Sequence, residues 1–196
     1  MPKTPLGGRN SRRDEILRAA AGLFALDGYA STSMREVAAA SGILPGSLYH
    51  HFESKDAIVE EILAGYLDTI QSRYATVLES GRSPAESLHD LVLASLRVAA
   101  EQPYATAIYQ NELHYLREQQ RFAEVLAGAG NVQQTWLRVI EKGVAEGAFR
   151  DDIEPRVFYR LIRDAVWLSV RWHHQDPPER LADDITSIFL DGFSAP

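Results

Sequence analysis

No cysteine occurs in the 196 residues, which excludes a disulfide framework, a thiolate nucleophile and a zinc–thiolate site and suits a reducing compartment. Long apolar runs are also missing. Nothing approaches the roughly 20 residues that a membrane span needs, and residues 1–10 lack the apolar core of a signal peptide. The expectation is a cytoplasmic chain with no membrane partner. The sequence has no nucleophile elbow, no glycine-rich phosphate loop and no spaced His–Glu zinc motif. His50-His51 and His173-His174 are adjacent pairs, and neighbours on a helix point about 100° apart, so neither makes a two-ligand face. We expect no catalytic residues, no metal and no cofactor: the chain is not an enzyme.

Positive charge is scarce overall, with 20 Lys and Arg against 27 Asp and Glu and a formal net charge of −7. The scarcity is uneven. Residues 1–55 hold seven Lys and Arg against five Asp and Glu, and all the remaining deficit lies in 56–196. The charge thus divides the chain into an amino-terminal domain, 1–55, and a larger domain, 56–196. Lys3, Arg9, Arg12 and Arg13 precede the first acidic residue, so the amino terminus reads as a basic arm able to reach phosphates, with Arg12 a candidate contact.

What is abundant is apolar surface at helical spacing; 45% of the residues are hydrophobic, ample for a buried core. Ile16, Leu17, Ala20, Leu23, Phe24 and Leu26 mark a first helix that stops at Asp27-Gly28. Ser33 and Glu36 have the spacing of a capping box, opening a second helix with Val37, Ala38 and Ala40 on its apolar side. Ser41-Gly42 ends it, and Pro45 suits the first turn of a third helix over about 45–52. Leu48 and Phe52 face inward there, leaving Ser47, Tyr49, His50 and His51 outward, a face suited to the major groove. This is the pattern of a helix-turn-helix.

From Ser54 a helix of about 25 residues runs through Ile62, Leu63, Tyr66, Leu67, Ile70 and Tyr74. Pro84 starts the next and Pro103 interrupts it. A mixed segment from Tyr104 to Glu118 follows. Residues 122–146 form another long helix, with a kink, break or close backbone approach expected at Ala127-Gly128-Ala129-Gly130. The last two helices are expected over about 154–174 and 178–193, and two adjacent apolar helices can pair with the same two of a second copy. Along the first of them, spacing of four aligns Tyr159, Arg163, Trp167 and Arg171. If that helix is largely buried, Arg163 needs a counter-charge, either a carboxylate of another helix or an anionic ligand. The fold class is all-α.

The run Thr32-Ser33, Val37 to Gly42, Gly46-Ser47-Leu48-Tyr49-His50-His51-Phe52 and Ser54-Lys55 closely resembles the amino-terminal domain of the tetracycline-repressor (TetR) family. That resemblance implies a TetR-like fold, a three-helix DNA-binding head on a helical ligand-binding and dimerisation body, and a homodimer on a pseudo-palindromic double-stranded operator. It implies a phosphate contact from Lys55; the outward face of the helix-turn-helix offers Ser33, Ser47, Tyr49 and His50 for base contacts, and Pro45, which has no donor, an apolar contact with a thymine methyl. A finer likeness, in Gly42-Ile43-Leu44, Ile108-Tyr109-Gln110 with Glu112, and Ile162-Arg163-Asp164 with Trp167 and Val170-Arg171-Trp172, is similar to repressors of actinobacterial steroid catabolism. Those respond to a coenzyme A thioester of a ring fragment. By that likeness the effector contacts are Arg163 and Trp167, with Tyr109, Gln110 and Arg171. A fatty acyl-CoA or a drug-like hydrophobic molecule is the alternative effector.

Overall fold

Helix ends in this chain are set by local chemistry, and most fall where the caps place them. The computed structural model describes residues 8–169 and 176–193. Among them are α1 (Gly8–Asp27), α2 (Met34–Ala40), α3 (Pro45–Tyr49), α4 (Lys55–Glu79), α5 (Pro84–Glu101), α6 (Pro103–Leu116), a 3-10 turn (Gln120–Phe122), α7 (Ala123–Ala145), α8 (Pro155–Ser169) and α9 (Pro178–Phe193). The Ser33–Glu36 capping box is formed in full, and a second closes the start of α5 between Ser83 and Glu86. Ser54 Oγ accepts the Ala57 amide at 3.2 Å and caps α4.

Two expectations change and a third narrows. Helix α1 already begins at Gly8, so Arg9, Arg12 and Arg13 lie on a helix and not on an arm; Lys3 lies outside the described residues. The third helix is shorter than 45–52: after Tyr49 the chain tightens, with the His50 and His51 amides bonding to Ser47 O and Leu48 O. Helix α7 runs unbroken through Ala127-Gly128-Ala129-Gly130, and the close approach is what the glycine serves. A Cβ at Gly128 would lie 3.1 Å from Leu67 Cδ1 and 3.3 Å from Gln71 Nε2, and Gln71 Nε2 donates to Gly128 O at 3.3 Å. Helix α8 is described as far as Ser169; Arg171, Trp172 and His173-His174 lie outside the described residues.

The chain falls into two compact units, Met1–Gly65 with Tyr104–Val125, and Tyr66–Pro103 with Leu126–Pro196. The division expected after residue 55 follows chain order, whereas these units follow the proximity of the backbone in space. In the first, α1 packs on α2 and α2 on α3, around buried Ile16, Phe24, Val37, Leu48, Phe52, Ile58 and Leu63. In the second, α5 lies along α9 and both meet α8, around buried Leu88, Leu91, Leu96, Trp136, Ile140, Ile162 and Ile185. No described helix is long and apolar enough to cross a membrane.

Candidate nucleic-acid interface and effector residues

The helix-turn-helix is held by caps at both ends of α2. Ser33 Oγ accepts the Glu36 amide at 3.3 Å and donates to Glu36 Oε2 at 2.7 Å, while the Ser33 amide donates to the same carboxylate at 2.7 Å. Those bonds to Ser33 hold the exposed Glu36 carboxyl below its ordinary pKa. At the other end Gly42 takes φ +65°, its amide reaches Ala39 O and that of Ile43 reaches Ala38 O, both at 3.0 Å. This is a Schellman motif, in which glycine avoids the cost a side chain would meet. The chain then leaves Leu44 extended and enters α3 at Pro45.

Helix α3 has only five residues, too few to be stable alone. Its anchors are Leu48 and Phe52, both buried, and its outer surface is Pro45, Gly46, Ser47, Tyr49 and His50, all exposed. Leu44, beside Pro45, is 76% exposed. Sequence reasoning passed over both Leu44 and Arg35. Arg35 is exposed on α2, and its side chain has no hydrogen bond or ion pair among the described residues, whereas Lys55 is tied to three carbonyls. The signal was its position, two residues past the Ser33 cap.

The other candidate cations are engaged. Arg12 pairs with Glu15 at 2.5 Å. Arg13 grips Glu61 through Nε at 2.8 Å and Nη2 at 2.5 Å, donates to His51 O at 2.6 Å, and lies 4.0 Å from the centroid of the Phe52 ring. The bond to Glu61 raises its pKa further above the ordinary arginine value. Lys55 turns inward: its Nζ donates to Tyr29 O at 2.6 Å, Thr32 O at 2.8 Å and Ala30 O at 3.3 Å, and stands 4.4 Å from the Tyr29 ring centroid. All three ammonium protons of Lys55 therefore have carbonyl acceptors in the turn before α2.

The effector candidates divide between the two units. Tyr109 and Gln110, half-buried on α6, belong to the first; Arg163 and Trp167 on α8 belong to the second. Arg171 is outside the described residues. Within the second unit the side chain of Arg163 is 38% exposed and paired through Nε and Nη2 to its own neighbour Asp164, at 2.9 and 2.7 Å. The expectation of a buried arginine awaiting a charge from another helix is thus corrected. The guanidinium is 5.6 Å from the Tyr159 ring centroid. Tyr159 in turn meets Trp136, and Trp136 meets Tyr74, each at 6.2 Å between centroids. Trp136 Nε1 donates to the Tyr74 hydroxyl at 2.9 Å, and that hydroxyl bonds to Ser95 Oγ at 2.6 Å. Trp167 is buried with its ring 6.4 Å from Tyr66. This aromatic set was missed because Tyr66 and Tyr74 read as ordinary apolar positions of α4.

Comparison with known proteins places these features. Residues 16–62 match the profile for bacterial regulatory proteins of the tetR family, and residues 81–193 match the tetracyclin repressor-like C-terminal domain. The HTH-type transcriptional repressor KstR2 of Rhodococcus jostii (strain RHA1) is 38% identical over 198 residues, covering 100% of this chain and 97% of that protein. KstR2 of Mycobacterium tuberculosis (strain ATCC 25618 / H37Rv) is 38% identical over 191 residues, 96% of each chain. The solved ketosteroid transcriptional regulator KstR2 of M. tuberculosis superposes with a TM-score of 0.88 at 37% identity, over 95% of this chain and 97% of that one. With helix-turn-helix, body and full-length likeness in agreement, the chain belongs to the tetR family of bacterial regulatory proteins and is a DNA-binding transcriptional repressor, not an enzyme.

Proposed function

We propose that the chain is a homodimeric repressor of steroid catabolism, bound to a pseudo-palindromic operator and released from it by a coenzyme A thioester of a steroid ring fragment. The observation that carries this reading is the 38% identity to KstR2 repressors along the whole chain, body included. The target on chromosomal DNA makes the cytoplasm its place of work.

On the operator, Ser33, Ser47, Tyr49 and His50 address base edges, Pro45 a thymine methyl, and Arg12 and Arg35 the flanking backbone, while Lys55 braces the turn before α2 from within. Val157, Leu161 and Leu168 on α8 and Ile188 on α9 are large apolar side chains left exposed in the single chain. The first three fall on one side of α8 at spacings of four and seven, the pattern of a two-fold helical interface. Residues 1–55 serve as the reading head and 56–196 as the effector and dimerisation body. A dimer sets two heads about 34–36 Å apart, one turn of the duplex.

For the effector, the pair that Arg163 makes with Asp164 is partly exposed, an interaction worth about 0–1 kcal/mol. An anionic ligand can take the place of Asp164 at little cost, with Tyr159 and Trp167 offering apolar plates. Release follows by linkage: the thioester binds the DNA-incompetent state more tightly, by the factor it removes from operator affinity.

The test is a fluorescence-anisotropy titration on the DNA upstream of the chain's own gene, repeated with steroid-ring acyl-CoA thioesters, fatty acyl-CoA, the free acids and coenzyme A. Release by the ring thioester alone, blunted in Arg163→Met, is the expected result. Release by fatty acyl-CoA or by an uncharged hydrophobic drug instead overturns the steroid assignment and leaves the repressor.

A further inference from the structure

Four carboxylates, Glu53, Asp56, Glu60 and Glu61, occupy nine positions directly after the recognition helix α3. A duplex approaching α3 brings phosphates towards that turn, so each unneutralised carboxylate there opposes binding. Glu61 is neutralised by Arg13, and Asp56 keeps its charge while accepting the Tyr29 hydroxyl, close enough to act on Arg121 as well. The remaining two, Glu53 and Glu60, share a single cation from far along the chain. Arg121, in the 3-10 turn, donates through Nη2 to Glu53 at 2.9 Å and through Nε to Glu60 at 3.4 Å. Glu53 is 75% exposed, so its charge stands at the surface.

Arg121 does not act from an unrelated part of the fold. Residues Tyr104–Val125 belong to the same compact unit as the helix-turn-helix, and they meet it at two turns. Glu112 Oε1 accepts the Tyr29 amide at 3.4 Å, in the turn before α2; Arg121 holds the turn between α3 and α4. Those turns flank the helix-turn-helix on both sides, and Tyr104 lies close beside Gly22 of α1.

We propose that Arg121 is a positioning residue for operator binding: it supplies the counter-charge for Glu53 and Glu60 and ties the α3–α4 turn to the Tyr104–Val125 segment. This rests on the DNA-binding role of the helix-turn-helix. The arginine touches no base; it removes a repulsion that the chain's own carboxylates create.

The test uses the full-length chain as wild type, Arg121→Gln, Glu53→Gln and the double variant. Each is titrated by anisotropy on the duplex from upstream of its own gene at several salt concentrations, with melting temperature recorded alongside. Arg121→Gln is expected to weaken binding by about two- to tenfold at low salt, the range one added surface charge near a phosphate gives, and the loss should shrink as salt screens it. Glu53→Gln should restore most of that affinity in the double variant. Unchanged binding by Arg121→Gln overturns the proposal. So does a loss that Glu53→Gln fails to relieve and that tracks a lowered melting temperature, which marks a purely structural contact. A wild-type chain that bound no duplex at low salt would overturn the DNA-binding role itself, and no other outcome touches that role.

Discussion

Lys55 distinguishes two ways in which a cation can serve a DNA-binding head. The family resemblance assigns it to a phosphate, whereas its Nζ is occupied by the carbonyls of Tyr29, Ala30 and Thr32. Replacing it by Met keeps the aliphatic stem and removes the ammonium. Two short charge-assisted bonds then disappear, each worth about 1.5–3 kcal/mol when sheltered, together with a cation–π contact of about 0.5–1 kcal/mol. The carbonyls of this half-buried turn regain some hydration, so the net cost is about 2–3 kcal/mol. At about 2–4 °C per kcal/mol for a chain of this size, the melting temperature should fall by roughly 4–12 °C.

The assay is thermal and urea unfolding of Lys55→Met, paired with operator titrations over a range of salt. A lysine whose work is done inside the head lowers stability, weakens operator binding, and leaves the slope of log K against log salt near its wild-type value. A lysine that spends its charge on phosphate keeps its melting temperature and loses about 0.9 from that slope for each phosphate released. A melting temperature within about 1 °C of wild type would refute the tethering argument built on the three carbonyls.

Two further outcomes follow from local geometry. Gly143→Ala should destabilise the body by about 1–3 kcal/mol in urea unfolding, because the new Cβ would sit 2.1 Å from the buried Phe149 ring, which would have to shift; a variant as stable as wild type would contradict that contact. The Glu86 carboxyl is lowered to about 2 by bonds to Ser83 and Arg82 at the start of α5. Since a depressed carboxyl contributes its stability above its ordinary value, near 4.5, and loses it as pH falls towards 2, Glu86→Gln should lower the melting temperature most near neutral pH. The gap from wild type should close between pH 4.5 and 2, and a gap constant with pH would refute the coupling.

What the sequence made legible was whatever adjacent residues decide among themselves. The Ser33–Glu36 box, the Gly42 stop, Pro45 at a first turn and the inward pair Leu48 and Phe52 are interactions within about five residues, and each stands where the spacing put it. The early start of α1 was hidden because Gly8 to Arg13 carries no apolar stripe; that turn is stabilised instead by Arg12 with Glu15 and Arg13 with Glu61. The effector residues were legible only as a spacing of four on α8, and the environment assigned to Arg163 was wrong because burial of a helix face does not fix the exposure of a long side chain's end.

The interactions that escaped the sequence share one property. Arg121 with Glu53 joins residues 68 apart, Arg13 with Glu61 residues 48 apart, and Trp136 with Tyr74 residues 62 apart. No periodicity encodes such pairs, yet the first two decide how a five-residue helix is presented. An isolated α3 has neither the length to nucleate nor a side-chain cap at Leu44; its conformation is imposed by Leu48 and Phe52 from beneath and by Arg13 and Arg121 at its far end. Helix α4 supplies Glu60 and Glu61 to that arrangement, and eight residues apart it gives Tyr66 and Tyr74 to the aromatic contacts of Trp167 and Trp136.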